Sequence, residues 1–260
     1  MFCFKRIIAF LAIWLILFTF VSCDKAEEFF LAISKVELTT NLYYEEPHLE
    51  LYLFSSNNCS KIKLKEHKLI KEVTGYKNNV KLVDKDKVWD GFLHLFYITF
   101  EKEEFILQKL TFICLDQEIE VNIGMYQSLL LEPSTIDIHT SINIYQDQDL
   151  IGLLNINNKL DNPIYFLEQR VVTLKKQQLL EPFVIDKFIV HSDKIKSLDI
   201  FSINPKEKYH QIGGIVQTRF KTNLDEYIIY TSYYYSNMFN LNYLSSTGIE
   251  ISSLEVIKNS

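Results

Sequence analysis

VELTTNLYYEEPHLELYLFSSNN, residues 36–58, is echoed 100 residues later by IDIHTSINIYQDQDLIGLLNINN, residues 136–158. Apolar or aromatic residues coincide at Val36 and Ile136, Leu42 and Ile142, Tyr44 and Ile144, Leu51 and Ile151, and Leu53 and Leu153. Both stretches close on Asn-Asn. Within the first, Leu49, Leu51 and Leu53 alternate with Glu50 and Tyr52, the period of a half-buried strand. Each is followed by a further strand-like run, Lys61–Lys65 in one case and Pro163–Leu167 in the other. A repeat on this scale predicts two copies of one β fold, with chance similarity of strand sequences as the alternative.

The surrounding chain carries the same signature. Asp90-Gly91 introduces the apolar run Phe92–Phe100, and Phe105–Leu115 and Glu118–Ile123 read as further strands. Thr74-Gly75-Tyr76 and Lys77-Asn78-Asn79 read as breaks between strands. No window of twelve residues shows a 3.6-residue period, and 19 Phe and 15 Tyr favour sheet. Seven Gly and five Pro, with no low-complexity tract, leave little room for long linkers. Glu132-Pro133-Ser134 is the expected boundary between a domain at 32–131 and a second at 134–260.

The amino terminus has a different character. Lys5 and Arg6 precede an apolar run of 15 residues from Ile7 to Val21, then Ser22-Cys23 and the charged Asp24–Glu28. A basic start, a short apolar core and a small residue form a secretory signal. The run is shorter than the roughly 20 residues a spanning helix needs. Phe20-Val21-Ser22-Cys23 resembles the lipobox of bacterial lipoprotein precursors, with Phe20 where leucine is usual. The resemblance implies a signal peptide at 1–22, a lipid-modified Cys23 as the first mature residue and a tether at 23–31. Each buried CH₂ contributes about 0.8 kcal/mol, so two or more acyl chains hold such a protein on a membrane. Ordinary signal cleavage with an incidental Cys23 is the alternative. Asp24 resembles an inner-membrane retention signal of enteric bacteria, whereas Lys25 with Glu27-Glu28 resembles the acidic surface-export signal of other groups. Both destinations stay open.

Losing Lys5 and Arg6 takes the net charge from −6 to −8. An acidic chain is a poor partner for nucleic acid, which binds through neutralised phosphates. It is also poorly suited to electrostatic docking on anionic lipid, which leaves attachment to the lipid on Cys23. With Cys3 in the signal, Cys59 and Cys114 remain. In an exported chain they form either one disulfide or two buried thiols.

Leu153–Asn158 with Asp161-Asn162-Pro163-Ile164-Tyr165-Phe166 resembles the B strand, turn and C strand of bacterial immunoglobulin-like domains. Ile195–Ile203 with Asn204-Pro205-Lys206-Glu207 resembles a later strand and turn of that fold, and Tyr227–Tyr235 and Ile249–Ile257 its closing strands. The expected architecture is all-β, two tandem immunoglobulin-like β-sandwich domains behind a cleaved signal peptide. Such modules bind, space and brace far more often than they catalyse.

Chemistry-bearing motifs are absent. His48, His67, His94, His139, His191 and His210 form no metal-type pair, and Cys59 and Cys114 lack zinc spacing. Asp84-Lys85-Asp86 with Asp90-Gly91 has the wrong spacing for a calcium loop and reads as a polar turn. There is no nucleophile elbow and no phosphate loop. Glu45-Glu46 and Glu103-Glu104 are adjacent in sequence, so on a strand each pair diverges to opposite faces. Asn58-Cys59-Ser60 fits a glycosylation sequon, a coincidence in a bacterial chain.

Two surface features invite a binding role. Lys61, Lys63 and Lys65, with Lys68 and Lys71, could grip an anionic group, but read first as lysines protecting a sheet edge. Tyr233-Tyr234-Tyr235 with Phe239 and Tyr243 could form an aromatic surface, but alternation buries about half of such a run. The sequence therefore predicts no catalytic residue, no metal and no cofactor. It predicts a lipid-anchored, non-enzymatic binding or scaffolding protein of the cell envelope with a protein partner there. A soluble exported chaperone-like or inhibitor-like module, and an enzyme with an interdomain site, are the alternatives.

Overall fold

The computed structural model describes residues 30–56, 59–84, 87–146, 149–173, 180–203, 209–236, 249–250 and 255–258. Residues 1–22 of the expected signal peptide, and Cys23 with the rest of the expected tether to residue 29, lie outside them. The chain is all-β, with eighteen strands among the described residues. No helix there is long and apolar enough to cross a membrane.

The first strands are β1 (Phe30–Ile33), β2 (Lys35–Asn41), β3 (His48–Ser56) and β4 (Ile62–Leu64). The long hairpin β5 (Ile70–Asp84) and β6 (Lys87–Phe100) follows, then the hairpin β7 (Phe105–Cys114) and β8 (Gln117–Leu129). The second half supplies β9 (Ile138–Gln146), β10 (Leu150–Asn158), β11 (Ile164–Val172), β12 (Leu180–Pro182), β13 (Phe188–Val190), β14 (Ile195–Ile203), β15 (Tyr209–Lys221) and β16 (Glu226–Ser236). β17 (Ile249–Glu250) and β18 (Glu255–Lys258) end the chain. Residues 30 and 31, expected in the tether, are already in β1, because Leu31 is fully buried in the first core.

These strands build three sheets. Six form β17-β5-β6-β3-β1-β18 and four form β12-β14-β10-β9. The eight-stranded sheet runs β13-β11-β15-β2-β8-β7-β4, with β16 on the other side of β15. The first core lies between β1, β3 and β6 on one side and β2, β4, β7 and β8 on the other. Leu49, Leu51, Leu53, Phe96, Ile98 and Phe100 meet Phe112, Val121, Ile123 and Tyr126 there. The second core lies between the four-stranded sheet and β11, β13, β15 and β16, around Phe166, Phe201, Phe220 and Tyr233.

One sheet therefore serves both cores, and β2 is the hinge of that arrangement. It pairs in parallel with β8 over Val36–Asn41 and with β15 at Lys35–Glu37. Val36 and Leu38 face the first core. Ile212, the β15 partner of Glu37, faces the second. On the Glu37 face, Gln127 Nε2 donates to Thr173 Oγ1 at 2.6 Å, a buried polar seam where the halves meet. Gly124, opposite Val36, has φ +96°, and a Cβ there would overlap the Val36 carbonyl oxygen.

The carboxyl terminus returns to the first half. β18 pairs with β1 and β17 with β5, so residues 249–250 and 255–258, expected in the second domain, extend the six-stranded sheet. Glu250 and Glu255 are five residue steps apart, which span at most about 18 Å. A flat sheet would separate β17 from β18 by about 24 Å, five strand spacings. The sheet is therefore curled. On its face away from the first core lies an apolar cluster of Ala32, Tyr52, Phe54, Val80, Leu82, Leu93 and Leu95.

Two sequence readings change in three dimensions. Residues 74–79, read as breaks, are continuous strand in β5. They are exposed on both faces, so the strand has no apolar alternation to reveal it. The echoed segments also differ in pairing. β9 and β10 form a hairpin, whereas β2 and β3 lie in different sheets.

Cys59 and Cys114 form a disulfide with Cα atoms 5.9 Å apart, tying the β3–β4 connection to the end of β7 across 55 residues. Both sulfurs belong to the first core.

Candidate binding surface

On the face of the six-stranded sheet away from the first core, β3, β5 and β6 bring three rows together. Glu50 lies directly across from Tyr97, and Tyr97 across from Thr74. Tyr52 and Tyr76 both lie across from Leu95, so they sit one step along on the same face. The Tyr76 and Tyr97 rings meet edge to face at 6.0 Å. Beneath them Leu95 and Tyr52 are buried in the apolar cluster, which anchors the face. At its outer end Tyr76 is 65% exposed and Tyr97 38% exposed.

The second half contributes Tyr234 of β16, which is 57% exposed. Its strand neighbours divide by alternation: Tyr233 is buried against Phe201, and Tyr234 points away from the second core. Glu50 links this residue electrostatically to the others. Burial pushes the Tyr52 hydroxyl up to about 12, with the Glu50 carboxylate, Tyr97 and Tyr234 adding to the effect. Burial, then Glu50 and Tyr76, raise Tyr97. Burial raises Tyr234, and Glu50 adds to the rise. One carboxylate therefore acts on three tyrosines, on strands from both halves, and Tyr76 joins them through its ring contact with Tyr97.

The remaining sequence-selected residues are scattered. Lys61, Lys63 and Lys65 are exposed along β4, the end strand of the eight-stranded sheet, and Lys65 Nζ pairs with Glu118 Oε2 at 2.7 Å. Position 58 of the sequon, 85–86 of the acidic turn, Phe239 and Tyr243 lie outside the described residues. Among the described residues no three His, Cys, Asp or Glu side chains converge as a metal site. His139 Nε2 lies 2.8 Å from its neighbour Asp137 Oδ1.

His94 is buried in the first half. Ser55 Oγ donates to the Cys59 carbonyl at 2.8 Å and lies 3.1 Å from His94 Nε2. The ring stacks on Phe96. Burial pushes it down to about 4, helped by the Lys77 ammonium and opposed by a hydrogen bond to the Cys59 backbone. A shallow groove of about 500 Å³ lies at the β13 edge of the second half, with Tyr165, Lys187 and Lys221 as its titratable lining.

The tyrosine face was only partly visible in sequence. Tyr234 was marked by its run of three. Glu50, Tyr76 and Tyr97 gave no signal, because β-pairing alone brings them together.

No family model matches the chain, and no curated protein is similar to it in sequence. Among solved structures, a protein of unknown function from Porphyromonas gingivalis W83 aligns at 10% identity with a TM-score of 0.24, over 78% of this chain and 98% of that one. A collagen adhesin from S. aureus aligns at 8% identity with a TM-score of 0.25, over 88% of this chain and 95% of that one. Neither likeness bears on what this chain does.

Proposed function

We propose that this chain is a lipid-anchored protein of the bacterial cell envelope that binds a protein partner and catalyses no reaction. The observation that carries the binding role is the exposed tyrosine face around Glu50. Tyrosines offer large contact area at small entropic cost and are enriched at protein interfaces. A sheet anchored by the buried Tyr52, Leu93 and Leu95 presents them on a rigid support.

The anchor rests on the lipobox and Cys23. In this reading the mature chain starts at Cys23, and a short segment links the lipid to β1 at the membrane surface. The division near 132–134 separates a first-half sandwich from an immunoglobulin-like unit. Support for that unit comes from strand order: β9, β10 and β14 share one sheet, while β11, β15 and β16 form the facing one. This matches the A-B-E and C-F-G grouping of immunoglobulin-like sandwiches.

Two measurements on cells test the proposal. The mass of the mature amino-terminal peptide is expected to correspond to Cys23 carrying two or three acyl chains. An unmodified terminus would remove the anchor and favour a soluble exported binding module. A photo-crosslinking residue in place of Tyr97 is expected to capture a protein that the same residue at Leu115 does not. Equal capture, or none, at the two positions would remove the tyrosine face from the function.

A further inference from the structure

Resting on that reading, we infer that the tyrosine face docks a cationic segment of its partner, with lysine or arginine side chains seated among Tyr76, Tyr97 and Tyr234 beside Glu50. The argument is charge complementarity. Along the exposed part of the face, β5 carries Glu72, Thr74 and Tyr76, β6 carries Tyr97 and Thr99, and β3 carries His48 and Glu50. Two carboxylates are present in these rows, and no lysine or arginine. Neither Glu50 nor Glu72 forms an ion pair among the described residues, whereas Glu46, Glu118, Glu120, Glu168 and Glu226 each do.

The nearby cations are engaged elsewhere. Lys71 Nζ reaches Glu46 Oε1 at 3.4 Å. Lys77 lies over the Phe92 ring at 4.5 Å and donates to the Ser60 carbonyl. The face is thus negative and aromatic without an internal counter-charge. Tyrosine ring faces attract an ammonium or guanidinium, and a neighbouring carboxylate adds a charge-assisted hydrogen bond. The chain's net charge of −6 draws cations from a distance as well. A carbohydrate would also stack on tyrosines, but it would leave both carboxylates without a counter-charge.

The test uses the full chain in non-ionic detergent and fluorescein-labelled hexalysine as the probe, read by fluorescence anisotropy. Hexaglutamate and an uncharged Gly-Ser hexapeptide serve as comparisons. Only hexalysine is expected to bind. The pair Glu50→Gln with Glu72→Gln is expected to weaken binding at least tenfold, and Thr74→Lys, which sets a cation across from Tyr97, to do the same. The pair Asp161→Asn with Asp186→Asn removes the same charge from the other half and is expected to change affinity less than twofold. Equal weakening by both pairs would reduce the effect to net charge and overturn the inference. So would binding of the uncharged peptide as tight as hexalysine, or no hexalysine binding at all. Because the crosslink at position 97 is scored separately, a surviving crosslink with no hexalysine binding would sink the cationic partner and spare the binding face.

Discussion

Acid should unfold this protein through His94 in a way that a single substitution removes. The ring is 5% exposed, stacked on Phe96 and near Phe92. Ser55 commits its proton to the Cys59 carbonyl, so its oxygen accepts from His94 Nε2–H, which sets the tautomer, while burial keeps the ring neutral. Protonation would bury a charge beside two phenyl rings, near the Lys77 ammonium, and holds the folded-state pKa at about 4. The unfolded value is about 6.5. The folded state therefore binds fewer protons than the unfolded chain between these values. Stability is fully present above pH 6.5, falls as pH drops through 4, and loses nothing more to this group below that. A shift of about 2.5 units corresponds to about 3 kcal/mol. Urea unfolding of the wild type and His94→Gln at pH 7.5, 6, 5 and 4 isolates the effect, because carboxylates and the other histidines are common to both. The glutamine keeps an N–H for Ser55 and cannot titrate. Its stability at pH 7.5 will be lower through lost ring packing, but between pH 7.5 and 4 it should lose about 3 kcal/mol less than the wild type. Parallel pH dependences, within 1 kcal/mol, would refute the argument.

Replacing Cys59 and Cys114 together by alanine opens a 55-residue loop and is expected to cost about 4 kcal/mol on the chain-entropy estimate, measured by denaturant unfolding without reductant. The two-residue β7–β8 turn holds Leu115 at φ 50° and Asp116 at φ 62°, a geometry that suits Asn-Gly, so Leu115→Asn with Asp116→Gly should stabilise the protein by about 1–2 kcal/mol. An unchanged or lowered melting temperature would show that this turn is not strained. Gly152→Ala places a methyl group in the Phe201 ring and should cost about 1–3 kcal/mol by overpacking, with a matching fall in the urea midpoint.

Strands with one buried face were legible in sequence, and the rest followed from how those strands assemble. Ile195–Ile203 matches β14, and Phe92–Phe100 is the apolar part of β6. Residues 74–79 were opaque because an exposed hairpin arm has no apolar period to read. β3 misled in the other direction. Leu49, Leu51 and Leu53 gave a clean alternation, yet Tyr52 and Phe54 between them are also buried, in the cluster on the opposite face. The Leu115-Asp116 turn carries no Gly or Asn, so the strand seemed to run through Leu115, which is in fact 64% exposed at the turn. Parallel pairing of β2 with β15 joins residues some 175 apart and leaves no local pattern. For the same reason the candidate face could not be assembled from sequence, since Glu50, Tyr76, Tyr97 and Tyr234 sit on four strands.

β2 ties the strand that carries Tyr234 to the half that carries the rest of that face. In a string of independent modules, each strand would find its neighbours within its own module. Here β2 lies between β8 of its own half and β15 of the other, with Val36 and Leu38 in the first core and the buried polar Glu37 and Thr39 on its opposite face. Loosening the second core would strip β2 of a neighbour and expose Glu37, Thr39 and Gln127, all buried polar groups. Separation would also break the two hydrogen bonds between Gln127 and Thr173, each a net contribution of about 1 kcal/mol. β18 adds a second tie, since the last strand must pair with β1 to complete the six-stranded sheet. The Glu50 carboxylate acts on Tyr234 across the two halves, with β16 placed by β15 and β3 by its own sheet. Tyr52, Tyr76 and Tyr97 lie on the six-stranded sheet of the first half and Tyr234 on β16, so assembly of the halves is what adds the second half's tyrosine to the face.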